Sequence, residues 1–76
     1  MDRLYVIAER YDHAADFARQ MKVPKTNLRY ISCTEHIHGL DDISVYRLRG
    51  WQRNERGSEI MDALITRRNI NIKDVA

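Results

Sequence analysis

A chain of 76 residues, 43% hydrophobic and 32% charged with a single proline, describes one small globular domain and excludes a disordered segment. Thirteen basic against eleven acidic residues leave a net charge of +2, well short of the balance that makes nucleic-acid binding a default reading, so any electrostatic footprint has to come from clustering. The only cysteine, Cys33, rules out an intrachain disulfide and with it a disulfide-stapled extracellular scaffold.

The opening Met1-Asp2-Arg3 is followed by a short apolar run, Leu4 to Ala8, before Glu9 and Arg10. That run is too short for a signal-peptide core, and no stretch approaches a membrane span. The expectation is a soluble, cytosolic protein, forming a single domain over residues 1–76. A domain this small buries only about 60–65% of the surface its unfolded chain exposes, which favours help from a second subunit.

Leu4-Tyr5-Val6-Ile7-Ala8 lacks polar alternation, which suits a strand covered on both faces. The period then changes. Tyr11, Ala14, Ala15, Ala18 and Met21, with Phe17 beside them, recur at helical spacing, while Asp12, Asp16, Arg19, Gln20 and Lys22 take the opposite side. Asp12 suits the positive end of this helix, and Pro24 is expected to stop it. Leu28-Arg29-Tyr30-Ile31-Ser32-Cys33 mixes polar and apolar positions and reads as an edge strand. Thr34 is a good cap for a brief helical turn through His38, ended by Gly39.

Asp41-Asp42 predicts a turn into a third strand, Ile43 to Leu48. A basic, aromatic loop follows, and Ser58 is expected to cap a second helix. Its apolar stripe is Ile60, Met61, Leu64 and Ile65, and Arg67-Arg68 meet its negative end. The tail, residues 69–76, contains the alternating Ile70-Asn71-Ile72. It is expected either to add a short strand beside the third or to dock on a second copy in a homodimer.

Strands alternating with helices imply parallel pairing, with the fully apolar first strand in the middle. The predicted architecture is α/β: a minimal Rossmann-like, three-layer unit with a three-stranded parallel sheet in the order 2-1-3 and a possible short fourth strand from the tail. Ligands of such sheets bind at the strand carboxyl ends. That rim collects Glu9, Arg10, Tyr11 and His13, then Thr34, His36 and His38, then Trp51, Gln52 and Arg53.

A nucleotide cofactor is not expected there, because Ala8-Glu9-Arg10-Tyr11-Asp12 holds no glycine for pyrophosphate and two carboxylates that repel it. Cys33, His36 and His38 are weak candidates for metal ligands, since their spacing matches no closed zinc motif; half-buried Cys33 and solvent-facing histidines are the simpler reading. Nucleophilic catalysis by Cys33 would need a positioned base and an orienting group, and only proximity to His36 or His13 is present. No catalytic signature is found and no cofactor is expected.

What stands out is Arg47-Leu48-Arg49-Gly50-Trp51-Gln52-Arg53-Asn54-Glu55-Arg56, with four arginines and the only tryptophan. Arginine and tryptophan dominate binding hot spots. Three readings stay open: Trp51 covers the sheet edge while the arginines are solvated, it anchors a protein partner, or it stacks on a base while arginines meet phosphates. Arg10, Arg47, Arg49, Trp51, Arg53 and Arg56 are the candidate binding residues, for a protein first and a nucleic acid second.

The chain resembles a group of short, mostly uncharacterised proteins encoded by bacteriophages of actinobacteria. The likeness lies in the Leu4–Ala8 run, in Tyr11, Ala14, Ala15, Ala18 and Arg19, and in Leu28-Arg29-Tyr30-Ile31-Ser32. It continues through His38-Gly39-Leu40 and Arg49-Gly50-Trp51 to the Ile60/Leu64 helix. Similar pieces occur in the nucleotide-binding cores of helicases and terminases, but the phosphate loop and the acidic metal-binding strand end are absent here. The resemblance implies a phage origin in a bacterial host cell; the Arg/Trp cluster together with the missing catalytic apparatus leads to the expectation of a non-enzymatic accessory protein that binds a host or phage protein.

Overall fold

The computed structural model describes residues 3–32, 34–37, 42–67 and 69–75, with backbone alone for residues 35 and 37. The elements are β1 (Leu4–Ile7), α1 (Tyr11–Gln20), β2 (Leu28–Tyr30), β3 (Ser44–Leu48), α2 (Gly57–Ile65) and β4 (Asn71–Val75). Short 3₁₀ turns lie at Lys25–Asn27, Thr34–Ile37 and Trp51–Arg53. The strands form one parallel sheet in the order β2-β1-β3-β4, so β1 is interior and β2 is an edge, as its mixed polarity predicted.

Alternation along the strands divides the apolar residues between two layers. Leu4, Val6, Ala8, Leu28 and Leu48 pack with Ala14, Ala15, Phe17 and Ala18 of α1. Ile7, Ile31 and Val45 pack on the other face with Ile60 and Leu64 of α2. The unbroken apolar run of β1 follows from this arrangement, because Val6 and Ile7 are both fully buried but on opposite faces. The small alanines of α1 let the helix lie close on the sheet.

The tail adds a strand within its own sheet. β4 pairs with β3 from Ser44 opposite Asn71 to Leu48 opposite Val75, and Ile70 and Ile72 pack on the α2 layer. At the opposite end of these strands Asn69 Nδ2 donates to Asp42 Oδ1 at 2.6 Å; both residues have left-handed backbone (φ 56° and 57°), which Asn and Asp tolerate in turns. Asp42 thus fits the expected turn, while Asp41 lies outside the described residues, as do Gly39 and Arg68.

Several local expectations need correction. Pro24 does not end α1. The helix ends earlier, where Lys22 turns left-handed (φ 59°), Lys22 N–H donates to Arg19 C=O and Val23 N–H to Ala18 C=O. Ser58 lies inside α2 rather than capping it; Asn54 Oδ1 instead accepts the Arg56 N–H (2.9 Å), and the Asn54 carbonyl accepts from Gly57 N–H. Ile65 is 68% exposed and does not join the buried stripe of Ile60 and Leu64. Tyr11 and Met21 are likewise exposed at the ends of α1. Among the described residues, no helix is long and apolar enough to cross a membrane.

Candidate functional site

The chain reverses its direction of travel across the sheet at β1, going out to β2 and back over β1 to β3. The crevice between the carboxyl ends of β1 and β3 is therefore the switch point where ligands of such sheets bind. Two loops meet there. Gly50 has φ 88°, which L-residues adopt with strain, and an added Cβ would sit 3.6 Å from Glu9 Oε1. Arg53 Nη1 lies 3.7 Å from the same Glu9 oxygen.

The floor of the crevice is built by a residue the sequence left without a role. Asn54 Nδ2 donates to the Ala8 carbonyl (2.9 Å) and to the Tyr30 hydroxyl (3.1 Å), and Tyr30 itself donates to Ala8 C=O (3.3 Å). One amide thus ties the loop after β3 to the ends of β1 and β2. Burial pushes the Tyr30 phenol up from its ordinary range, with the Asn54 hydrogen bond pulling the other way. The available signal was a turn-forming Asn just ahead of a helix, in a place where Ser58 drew the capping assignment.

Above that floor lies an open crevice of about 390 Å3 lined by Glu9, Arg10, Ser32, Arg53, Asn54, Glu55 and Arg56. Three of the six candidate binding residues converge here: Arg10, Arg53 and Arg56. Arg10 Nη2 lies 3.4 Å from His13 Nε2. Among the described residues neither Arg10 nor Arg56 has a carboxylate within ion-pair distance, so their planar forks are open to a carboxylate or phosphate.

The other three candidates lie elsewhere. Trp51 is half-buried and belongs to the α2 layer, packed against Gly57, where a Cβ would come within 2.8 Å of the Trp51 carbonyl and 3.2 Å of its ring. Arg47 lies over the Trp51 ring with Cζ 5.0 Å from the centroid and pairs with Asp74 of β4. Arg49 is exposed on the α1 side, over a hollow of about 230 Å3 shared with His13, Asp16, Phe17 and Val75. Of the readings left open for Trp51, this placement corresponds to the one in which it covers the sheet edge.

His36 is exposed and its Nδ1 accepts the Ser32 N–H (3.1 Å), with Ser32 Oγ 3.3 Å away. The lone pair that would activate the Ser32 hydroxyl is thus shared with a backbone donor, a poor arrangement for a base. Cys33 and His38 lie outside the described residues. Among the described residues, no group of three or more His, Cys, Asp or Glu side chains is placed to hold a metal ion.

Compared with known proteins, the chain matches no family model, no curated protein and no solved structure.

Proposed function

We propose that this protein is a non-enzymatic accessory protein of the bacteriophage type, which binds a host or phage protein in the bacterial cytosol through the arginine-lined rim at its strand carboxyl ends. The observation that carries this reading is the convergence of Arg10, Arg53 and Arg56 on one open crevice at the switch point, with two of the three guanidinium groups free of a carboxylate partner among the described residues. Exposed arginine forks on a rigid floor suit an acidic protein surface. Trp51 serves this function indirectly, by bracing the loop that presents Arg53 and Arg56. A homodimer through an exposed edge strand belongs to the same proposal, and light scattering across micromolar concentrations checks it.

A second reading, nucleic-acid binding, is favoured by one feature: Tyr11 follows Arg10 on the rim, is 48% exposed, and meets Tyr30 edge-on with centroids 5.8 Å apart. An open ring beside a guanidinium suits a single-stranded base and its phosphate.

Affinity capture from bacterial lysate, with the wild-type chain and with Arg53→Glu/Arg56→Glu, tests the first reading. The expected outcome is a protein retained by the wild type, insensitive to nuclease and lost in the folded double variant. Identical retention by both chains removes the rim as the binding face. Retention abolished by nuclease favours the second reading instead.

A further inference from the structure

Among the described residues no strand lies on the outer side of β2. Ile31 N–H donates to the Val6 carbonyl at 2.9 Å, so ladder alternation turns the N–H and C=O groups of Leu28, Tyr30 and Ser32 away from β1. Three of these groups are already occupied. Leu28 N–H donates to Lys25 C=O, Arg29 Nη1 donates to Leu28 C=O at 3.0 Å, and Ser32 N–H donates to His36 Nδ1 at 3.1 Å. Between these caps the N–H and C=O of Tyr30 face outward, an adjacent donor and acceptor of the kind that a further strand pairs with.

Along this edge runs a groove of about 450 Å3 whose wall includes Arg3, Tyr5, Arg29, Tyr30, Ile31 and His36. Among the described residues its lining includes no carboxylate, whereas the rim crevice carries Glu9 and Glu55. Arg3 and Arg29 are exposed and form no ion pair among the described residues. Because His36 Nδ1 is an acceptor, its ring proton sits on Nε2 and adds a donor. The rings of Tyr5 and Tyr30 supply apolar wall between these cationic and donor groups. The described residues of this surface therefore combine strand-pairing backbone with the cationic Arg3 and Arg29, which suits an extended and acidic occupant.

We propose that the β2 edge is a docking site for an extended acidic peptide segment of another protein, which adds to the sheet beside β2 with its backbone on Tyr30 and its carboxylates on Arg3 and Arg29. This site uses residues other than the arginines of the rim, so either reading can fail while the other stands.

The test is a ¹⁵N–¹H NMR titration of the full chain with a capped hexapeptide of alternating glutamate and valine. Saturable shifts centred on the amides of Arg29 to Ser32, with slower solvent exchange at the Tyr30 N–H, are the expected result. Arg3→Glu and Arg29→Glu each weaken binding by about tenfold. The same peptide with alternate amides N-methylated binds at least as poorly, because charge without backbone pairing is insufficient. The rim variant Arg53→Glu/Arg56→Glu, by contrast, binds the peptide undiminished. Several outcomes overturn the proposal: no shift at millimolar peptide, equal binding of the N-methylated peptide, or shifts centred on the rim. The same β2 shifts produced by a single-stranded oligodeoxynucleotide would assign the edge to nucleic acid. Concentration-dependent shifts without peptide would assign it to a second copy of this chain.

Discussion

Arg47 and Asp74 face each other across the β3–β4 pair, with Arg47 Nε on Asp74 Oδ1 and Nη2 on Oδ2 at 2.9 Å. The same guanidinium lies over the Trp51 ring, so one side chain links β4, β3 and the loop that leads into α2. The hydrogen bond from Arg47 holds the Asp74 carboxyl below its ordinary range. A depressed carboxylate contributes stability above its unfolded pKa, about 4, and loses it as pH falls through the lower folded value. We expect protection of the β4 amides, relative to the unfolded chain at the same pH, to fall below about pH 4 in the wild type. In Asp74→Asn exchange is faster at neutral pH and lacks that acid step. An equal acid step in both proteins would mean that another carboxylate controls the edge.

Tyr30 gives the opposite pH signature. Its folded pKa is raised, so its contribution is fully present below the unfolded value, about 10, and is lost as pH rises through the folded one. Denaturation midpoints of the wild type are expected to decline above about pH 10 more steeply than those of Tyr30→Phe. Parallel alkaline profiles would show that Tyr30 ionises as freely in the folded protein as in the unfolded chain.

Removing the amide that ties the three strand ends together is expected to be costly. Asn54→Ala deletes donors to Ala8 C=O and the Tyr30 hydroxyl and an acceptor for Arg56 N–H. Leaving such groups unsatisfied costs about 1–3 kcal/mol, measurable by urea denaturation. A loss under about 0.5 kcal/mol would indicate that water replaces the amide at the crevice floor.

Gly57 is the first residue of α2, where helix propensity favours alanine by less than the helix-interior value of about 1 kcal/mol. Sterics decide otherwise. The new Cβ would lie 2.8 Å from the Trp51 carbonyl, a backbone atom that cannot swing aside. Overpacking of this kind costs about 1–3 kcal/mol, so Gly57→Ala is expected to be destabilised, with an altered Trp51 fluorescence spectrum. A more stable variant with an unchanged spectrum would refute the close contact.

Lys22 offers the reverse case. It occupies the left-handed position that closes α1, where a side chain costs about 1 kcal/mol and glycine nothing. Allowing for the greater freedom of glycine in the unfolded chain, Lys22→Gly is expected to gain about 0.5 kcal/mol, read as a higher urea midpoint at unchanged slope.

The order of the first three strands, the interior place of β1 and the edge place of β2 were legible in the sequence. So was the helical stripe of Ala14, Ala15 and Ala18. These features depend on local periodicity and on whether one face or two must be buried, which hydrophobicity along the chain records directly. The expected gathering of loops at the strand carboxyl ends follows from that topology, which is why Arg10 and Arg53 could be placed on one rim in advance.

The division of labour among the arginines was not legible. Arg47, Arg49, Arg53 and Arg56 look alike in a row, yet alternation along β3 sends Arg47 to the α2 layer, whereas Arg49 lies past the end of the strand, in the turn, and sits over the hollow on the α1 side. Trp51 could have been an anchor or a cover, and the choice depended on Gly57 leaving space for its ring. Asn54 acquired its role through Ala8 and Tyr30, which lie 46 and 24 residues away. By itself the sequence determined which segments form strands and helices and which of their faces are apolar, because those properties are local and periodic. Only the tertiary structure decided which polar side chains stay free to bind and which are spent on holding the fold, because each such choice depends on a partner brought close by chain closure.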